Sequence, residues 1–148
     1  MKIYISILMT IAFTFLGIHN TQAQSAAQIQ KTEQSIKKKG KYALLVMKTQ
    51  HLKAAIMTGQ GFKATSPKID FQIVACGELV KEIAADSALQ NLISQAVNKD
   101  RLKIVICGIS IKQFKVDKTT LPAETPVSEN GLIYMFGLQE QGYKTIIL

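Results

Sequence analysis

The sequence predicts an α/β domain: a three-layer α/β/α sandwich with a parallel sheet of about five strands. The first observation is a set of short segments that are apolar at nearly every position; they cover residues 42–47, 69–75, 102–106 and 143–148. The second observation is that segments with helical spacing of apolar residues separate these strands. Strands that are apolar on both faces and alternate with helices are typical of a parallel sheet covered on both sides.

Helices are predicted between and after the strands. They cover residues 51–62, 78–84, 88–97 and 109–116, with a last helix that carries Leu132, Met135, Phe136 and Gln139. Pro67 is expected to end the first of them, and residues 122–126 are expected to form a loop or a brief extended segment. Ser128 is the expected N-cap of the last helix, and Gly142 is expected to end it in the left-handed conformation.

Length and composition fit one globular domain. The chain has 148 residues, of which 47% are hydrophobic and 19% charged, and its formal net charge is +8. The apolar content excludes a disordered chain, and two cysteines exclude both a disulfide-dense scaffold and a four-thiolate zinc site. Arg101 is the only arginine, whereas base and phosphate recognition favour arginine. We therefore expect a solvated lysine surface and no nucleic-acid partner.

The N-terminus has the pattern of a cleaved signal peptide. Lys2 is followed by an almost unbroken apolar run over residues 3–18, and a site of small residues closes at Ala23. The run is shorter than the roughly 20 residues that a membrane-spanning helix needs, which disfavours a retained anchor. We therefore expect removal of residues 1–23, a periplasmic or secreted location, and no membrane span in the mature protein.

A polar leader at residues 24–40 precedes the predicted domain at residues 41–148. The leader is rich in Gln, Ser and Lys and contains the run Lys37, Lys38 and Lys39. Its composition predicts either a flexible arm or a short polar helix.

Two of the predicted strands end in the same way, with a cysteine followed by a glycine. Cys76 and Gly77 follow one strand, and Cys107 and Gly108 follow the next. Reactive groups gather at the carboxyl edge of parallel sheets, and nearby helix N-termini lower the pKa of a thiol. Cys76 and Cys107 are therefore the candidate site residues. The alternative is that both are small buried hydrophobic residues.

Other catalytic and metal-binding patterns are weak. After cleavage His51 would be the only histidine, and it is expected near the start of a helix as a surface or capping residue. One histidine and two cysteines without paired carboxylates predict no metal site, and residues 59–61 lack the lysine and the preceding strand of a phosphate loop. We therefore expect neither a metal nor a cofactor. Four carboxylates are expected to be ordinary surface charges: Asp70, Glu78, Asp86 and Asp117.

The stretch from Gly131 to Tyr143 has a glycine and an aliphatic run that precede Leu-Gln-x-x-Gly-Tyr. This pattern is similar to the closing helix and strand of the DsrE/DsrF-like family, which the sequence resembles. The turn at Cys107 resembles the family's strand that ends in Cys-Gly. The turn at Cys76 resembles an earlier one at which many members carry His-Gly.

This resemblance implies a sulfur-relay fold with a five-stranded parallel sheet, assembled as a homo-oligomer, either a trimer or a hexamer. It also implies that Cys107 carries sulfur as a persulfide, whereas Cys76 replaces the commoner histidine. The predicted export signal departs from the best-understood members, whose relay complexes are cytoplasmic.

Three functions follow from these observations. The first is an exported sulfur carrier or sulfurtransferase that uses a Cys107 persulfide and meets a sulfur donor or acceptor protein. The second is a thiol/disulfide redox protein in which Cys76 and Cys107 end neighbouring strands within disulfide range. The third is a non-enzymatic oligomeric binding protein that keeps the fold without the relay.

Overall fold

The computed structural model describes residues 25–148, so the predicted signal peptide lies outside the described residues. The described chain divides into a short N-terminal unit that ends at Ile36 and a larger unit, Lys37–Leu148. The short unit contains helix α1 (Ala26–Glu33), which buries no side chain and is capped by Ser25. Of the two structures predicted for the leader, this segment adopts the short polar helix.

The larger unit alternates strands and helices. Its elements are β1 (Lys41–Val46), α2 (Thr49–Thr65), β2 (Asp70–Ala75), α3 (Leu79–Ala85), α4 (Ser87–Asn98), β3 (Lys103–Cys107), α5 (Gly108–Gln113), a 3₁₀ turn (Lys118–Thr120), β4 (Val127–Ser128), α6 (Gly131–Glu140) and β5 (Lys144–Ile147). The five strands form one sheet in the order β4-β3-β2-β1-β5, and every pair is parallel. The predicted α/β/α class with five parallel strands is confirmed.

The order in which the chain crosses between strands places α6 on a different face of the sheet from α2 and α4. The chain moves from β1 through β2 and β3 to β4 in one direction, then crosses back past β1 to form β5. Because such crossovers are right-handed, the reversed one puts α6 on the face opposite α2 and α4. There α6 packs against β1, β2, β3 and β5. This single helix brings its N-terminus to the carboxyl edge of the sheet.

The central strands are buried on both faces. Ile73 and Val74 are successive residues of β2 that point to opposite sides, and neither has exposed surface. Leu45 and Val46 do the same on β1, at 1% and 0% exposure. Burying each such side chain stabilises the fold by about 1.5–3 kcal/mol, which explains why these strands are apolar throughout.

The start of the last helix was predicted wrongly. Ser128 belongs to β4, where it pairs with Cys107 of β3. The N-cap is Asn130, whose Oδ1 accepts hydrogen bonds from the backbone N–H groups of Leu132 and Ile133. Strand β4 was missed because two residues cannot show the alternation by which a strand is predicted.

Other boundaries agree more closely. Gly142 ends α6 with φ +83, as predicted, and α2 ends before Pro67. The short helix after β3 ends at Gln113 rather than at residue 116, and Lys115 has a positive φ of 53. Asp86 and Asp117 are exposed as expected, and they cap α4 and the 3₁₀ turn.

Asp70 is more than a surface charge, because it anchors a hydrogen-bond network at the amino edge of the sheet. Tyr143 Oη donates to Asp70 Oδ2 at 2.6 Å and accepts from Gln72 Nε2 at 2.7 Å. Tyr134 Oη donates to Gln72 Oε1 at 2.8 Å, and Lys103 Nζ pairs with Asp70 at 3.0 Å. Burial raises the pKa of Asp70, but the hydrogen bonds from Tyr143 and Lys103 outweigh it and lower the pKa overall. The network ties α6 and β5 to β2.

We expect Tyr143→Phe to lower the free energy of unfolding by about 1–3 kcal/mol, because the buried amide of Gln72 loses its acceptor. Urea unfolding measures this loss. Tyr42→Phe is the matched control, since the Tyr42 hydroxyl accepts only from the exposed backbone N–H of Lys37, and it should cost less. Equal losses would show that the hydroxyl of Tyr143 in the network contributes no more to stability than the exposed hydroxyl of Tyr42, and would contradict the prediction.

Candidate thiol site

The register of the sheet brings the two predicted site residues together. Ala75 of β2 pairs with Ile106 of β3, so the next residues, Cys76 and Cys107, stand side by side at the carboxyl edge. Both are buried, at 7% and 4% exposure, and both are free thiols. Their adjacency depends on the pairing of β2 with β3.

Hydrogen-bond donors surround Cys107. The backbone N–H of Gly131, the first residue of α6, donates to Cys107 Sγ at 3.3 Å. Ser110, in the first turn of α5, supplies its hydroxyl and its backbone N–H. Ser110 is 4% exposed, and its Oγ accepts from the N–H of Gly77 at 2.8 Å. Ser110 therefore links the turn after Cys76 to the thiol of Cys107.

The two thiols have opposite pKa shifts. Burial raises the pKa of Cys107, but hydrogen bonds from Ser110, Gly131 and Cys76 more than offset it and hold the pKa below its ordinary value. Burial also raises the pKa of Cys76, and the charge of the neighbouring Cys107 raises it further, to about 12. Cys76 is therefore the thiol that keeps its proton, and it donates a hydrogen bond toward Cys107. Since the thiolate is the nucleophilic form of cysteine, the lowered pKa makes Cys107 the candidate nucleophile of the pair.

Gly131 permits the close approach of α6 to the thiols. A Cβ at this position would lie 2.5 Å from Cys76 Sγ and 3.1 Å from Cys107 Cβ. Because Asn130 already accepts from the next two N–H groups of the helix, the N–H of Gly131 is the one directed at the sulfur. The absence of a side chain at Gly131 is therefore a requirement of the site.

Ser110 and Gly131 were not predicted as site residues. A signal for Ser110 was present, since a hydroxyl three residues after a strand-ending cysteine lies in the first turn of the following helix. Gly131 had no local signal as a site residue, because its approach to the thiols depends on the crossover from β4 to β5.

His51, expected to be a surface or capping residue, lies in the first turn of α2, while Lys48 stands at the N-cap. His51 is half-buried, and its Nδ1 has no hydrogen-bond partner. Within residues 25–148, no group of three or more histidine, cysteine or acidic side chains is placed to hold a metal ion. None of the helices described has the length and apolarity needed to cross a bilayer.

We expect the alkylation rate of Cys107 by iodoacetamide to titrate at lower pH than that of an ordinary cysteine, because its pKa is lowered. Ser110→Ala should move this titration to higher pH and slow the reaction at neutral pH, since the variant removes a donor to the thiolate. Mass spectrometry of the modified peptide measures both rates. Ser128→Ala is the control, because its hydroxyl donates to the carbonyl of Ile106, and a shift of equal size there would contradict the assignment.

The fold and this site define an α/β protein with two adjacent buried thiols at the carboxyl edge of a parallel sheet. The chain belongs to the DsrE/DsrF-like family, whose model matches residues 9–148. In general terms, membership of this family indicates sulfur relay. A comparison with curated proteins finds no match.

Two solved structures share the fold. A protein of unknown function from Methanobacterium thermoautotrophicum is 15% identical, with a TM-score of 0.62, and the match covers 72% of this chain and 99% of that one. A conserved protein of unknown function from Bacteroides thetaiotaomicron is 17% identical, with a TM-score of 0.55, over 72% of this chain and 94% of that one. At these identities the likeness concerns the fold.

Proposed function

We propose that this protein is a sulfur carrier or sulfurtransferase that holds sulfur as a persulfide on Cys107. The observation that carries the proposal is the set of donors around one buried thiol: the N–H of Gly131, the Ser110 hydroxyl and the thiol of Cys76. These donors stabilise negative charge on sulfur, and both a thiolate and a deprotonated persulfide carry that charge. Membership of the DsrE/DsrF-like family supports the same chemistry.

The transfer step needs no external oxidant. The Cys107 thiolate attacks the outer sulfur of a donor persulfide, R–S–SH; a new bond forms between Cys107 Sγ and that sulfur. The bond between the two donor sulfurs breaks, and its electron pair leaves as R–S⁻. The product is Cys107–S–SH, and an acceptor thiolate reverses the same step to take the sulfur. Because Cys107 is only 4% exposed, a slender sulfane chain suits the site better than a bulky substrate.

A second candidate function uses both thiols, and their adjacency favours it. Cys76 would attack the inner sulfur of the Cys107 persulfide, forming a disulfide between the two cysteines and releasing H₂S. The pKa of about 12 for Cys76 weighs against this step at neutral pH, because the attacking thiolate is scarce. The third function, ligand binding without thiol chemistry, predicts that neither cysteine reacts with sulfur.

Intact-protein mass spectrometry distinguishes the three functions. Unreduced protein is weighed before and after incubation with polysulfide. A gain of one sulfur that dithiothreitol removes supports the carrier, and a mass two hydrogens low supports the disulfide. An unchanged mass with both thiols free would leave only the binding function. The same spectrum tests our proposal that residues 1–23 are removed on export, because removal would lower the mass by that segment.

We also propose that the protein is a homo-oligomer, as the family resemblance implies. Large apolar side chains are exposed on α6, at Leu132, Ile133 and Phe136, and Ile147 of β5 is exposed on the same face of the sheet. Exposed apolar surface of this kind marks protein contacts, and β5 is also an edge strand of the sheet.

The variant Ile133→Glu/Phe136→Glu is expected to convert the oligomer to monomer, because each change places a carboxylate in the apolar contact. Light scattering measures the mass in solution. Met57→Glu is the control: Met57 is 70% exposed on α2, on the opposite face of the sheet, and its substitution should leave the assembly intact. A wild-type protein that is monomeric at micromolar concentration would contradict the proposal.

A further inference from the structure

The amino edge of the sheet, opposite the thiols, gathers basic side chains. The strand register places Lys41 at the start of β1 and Lys144 at the start of β5, one residue apart along the paired strands. The turn at residues 37–40 adds Lys37 and Lys39 beside them. These four lysines line a cavity of about 320 Å³, here called the lysine cavity, together with Gly40, Tyr42, Gln141 and Gly142.

The turn that carries Lys37 and Lys39 is held in place. The N–H of Gly40 donates to the carbonyl of Lys37 at 2.8 Å, and the backbone N–H of Lys37 donates to Tyr42 Oη at 3.2 Å. The buried hydroxyl of Ser66 donates to the carbonyl of Lys38 at 2.7 Å. The lysine run, predicted to be a solvated part of the leader, therefore belongs to a hydrogen-bonded turn. Its ammonium groups project from a fixed backbone.

The described residues leave the positive charge of the lysine cavity unbalanced. None of those that line the cavity is a carboxylate, and the hydrogen bond found for Lys41 Nζ goes to the backbone carbonyl of Gln141, at 3.1 Å. The nearest strand-start carboxylate, Asp70, is already paired with Lys103 in the one ion pair found among residues 25–148. Four like charges around one concave surface repel each other, and a bound anion relieves that repulsion.

We propose that the lysine cavity binds a phosphate group. A phosphate monoester carries close to two negative charges at neutral pH and offers three acceptor oxygens, so one group can meet several ammonium groups at once. Lysine binds phosphate as a point charge, without the fork geometry of arginine. A single carboxylate would neutralise only one of the four lysines. The phosphate belongs either to a soluble ester or to a lipid headgroup.

This site is separate from the thiol site. Strand β2 has six residues, and at about 3.3 Å per residue it separates the two edges by roughly 20 Å. The Debye length is about 10 Å at 0.1 M salt, so a phosphate in the lysine cavity leaves the reactivity of Cys107 unchanged. The ligand is therefore not the sulfur donor.

The test is a titration of the ¹⁵N-labelled full chain with inorganic phosphate, with sodium chloride holding the ionic strength constant. We expect saturable shifts of the amide resonances around the cavity, at Lys39, Lys41 and Lys144. The variant Lys39→Gln/Lys144→Gln should weaken binding about tenfold or more, because two of four ammonium groups are lost. Shifts that do not saturate, or an acetate titration of equal strength, would overturn the proposal.

The matched control is Lys53→Gln/Lys81→Gln, which removes the same charge from exposed positions on α2 and α3. It should keep the phosphate affinity, and an equal loss there would show a general charge effect and overturn the site. Vesicles of phosphatidic acid, whose headgroup is a phosphate monoester, and of phosphatidylcholine identify the source. Binding to the former that the cavity variant loses assigns a lipid headgroup; binding of inorganic phosphate alone assigns a soluble ester. Cys107 alkylation should be unchanged in every variant.

Discussion

Cys107→Ser is expected to abolish sulfur loading. The serine hydroxyl stays protonated at neutral pH, so it cannot attack a sulfane sulfur, whatever hydrogen bonds Gly131 and Ser110 offer it. Thiolates, by contrast, are the reactive form of cysteine. Intact-protein mass spectrometry after incubation with polysulfide should show one added sulfur on the wild type and none on the variant.

Cys76→Ser is the informative partner of that experiment. A serine hydroxyl still donates a hydrogen bond toward the Cys107 thiolate, so this variant should still load one sulfur. If the Cys76→Ser variant lost sulfur loading and the Cys107→Ser variant kept it, the assignment of the nucleophile would be wrong. If the wild type loads sulfur but the Cys76→Ser variant accumulates more of it and releases no H₂S, the second thiol resolves the persulfide.

Gly131→Ala is expected to damage stability and site together. Its methyl group would stand 2.5 Å from Cys76 Sγ, closer than side-chain contacts allow, so α6 must shift away from the sheet. Overpacking of this kind costs about 1–3 kcal/mol, which urea unfolding measures. The shift also withdraws the N–H that lies 3.3 Å from Cys107 Sγ, so the alkylation titration of Cys107 should move to higher pH.

Gly137→Ala is the matched control for this prediction. Gly137 lies in the same helix, and a Cβ there meets nothing within 4 Å. Because alanine is favoured over glycine inside helices, this variant should gain up to about 1 kcal/mol and leave the Cys107 titration in place. A loss of stability at Gly137 as large as at Gly131 would mean that the helix, and not the contact with the thiols, is sensitive.

The site exists because of one reversal in the topology. If the chain had continued outward from β4, its last helix would have packed on the same face as α2 and α4. The crossover back to β5 instead carries α6 across the other face, with its first residue over the ends of β2 and β3. The same crossover leaves that face with a single covering helix, and this explains the exposed apolar side chains of α6.

The sequence by itself determined the fold class and the candidate nucleophile. Strands buried on both faces must be apolar at every position, and such a run can be recognised in the local sequence without knowledge of its partners. Cys107 and Cys76 were found for the same reason, since each directly follows such a stretch. Glycines also mark the chain reversals at residues 77 and 142, where both adopt positive φ values, 66 and 83.

Only the tertiary structure decided which residues contact each other at the amino edge and at the thiol site, because these residues are far apart in the sequence. Asp70 meets Tyr143 through the register of β1 with β2 and β5, and no local pattern connects them. The two cysteines are neighbours because β2 pairs with β3, and strand order is a property of the whole sheet. Their difference in pKa has two causes: burial raises the pKa of Cys76, and Ser110 and Gly131, which reach Cys107 from two helices on opposite faces, lower the pKa of Cys107. Local sequence shows which residues can be buried; the packing of elements decides which of them meet.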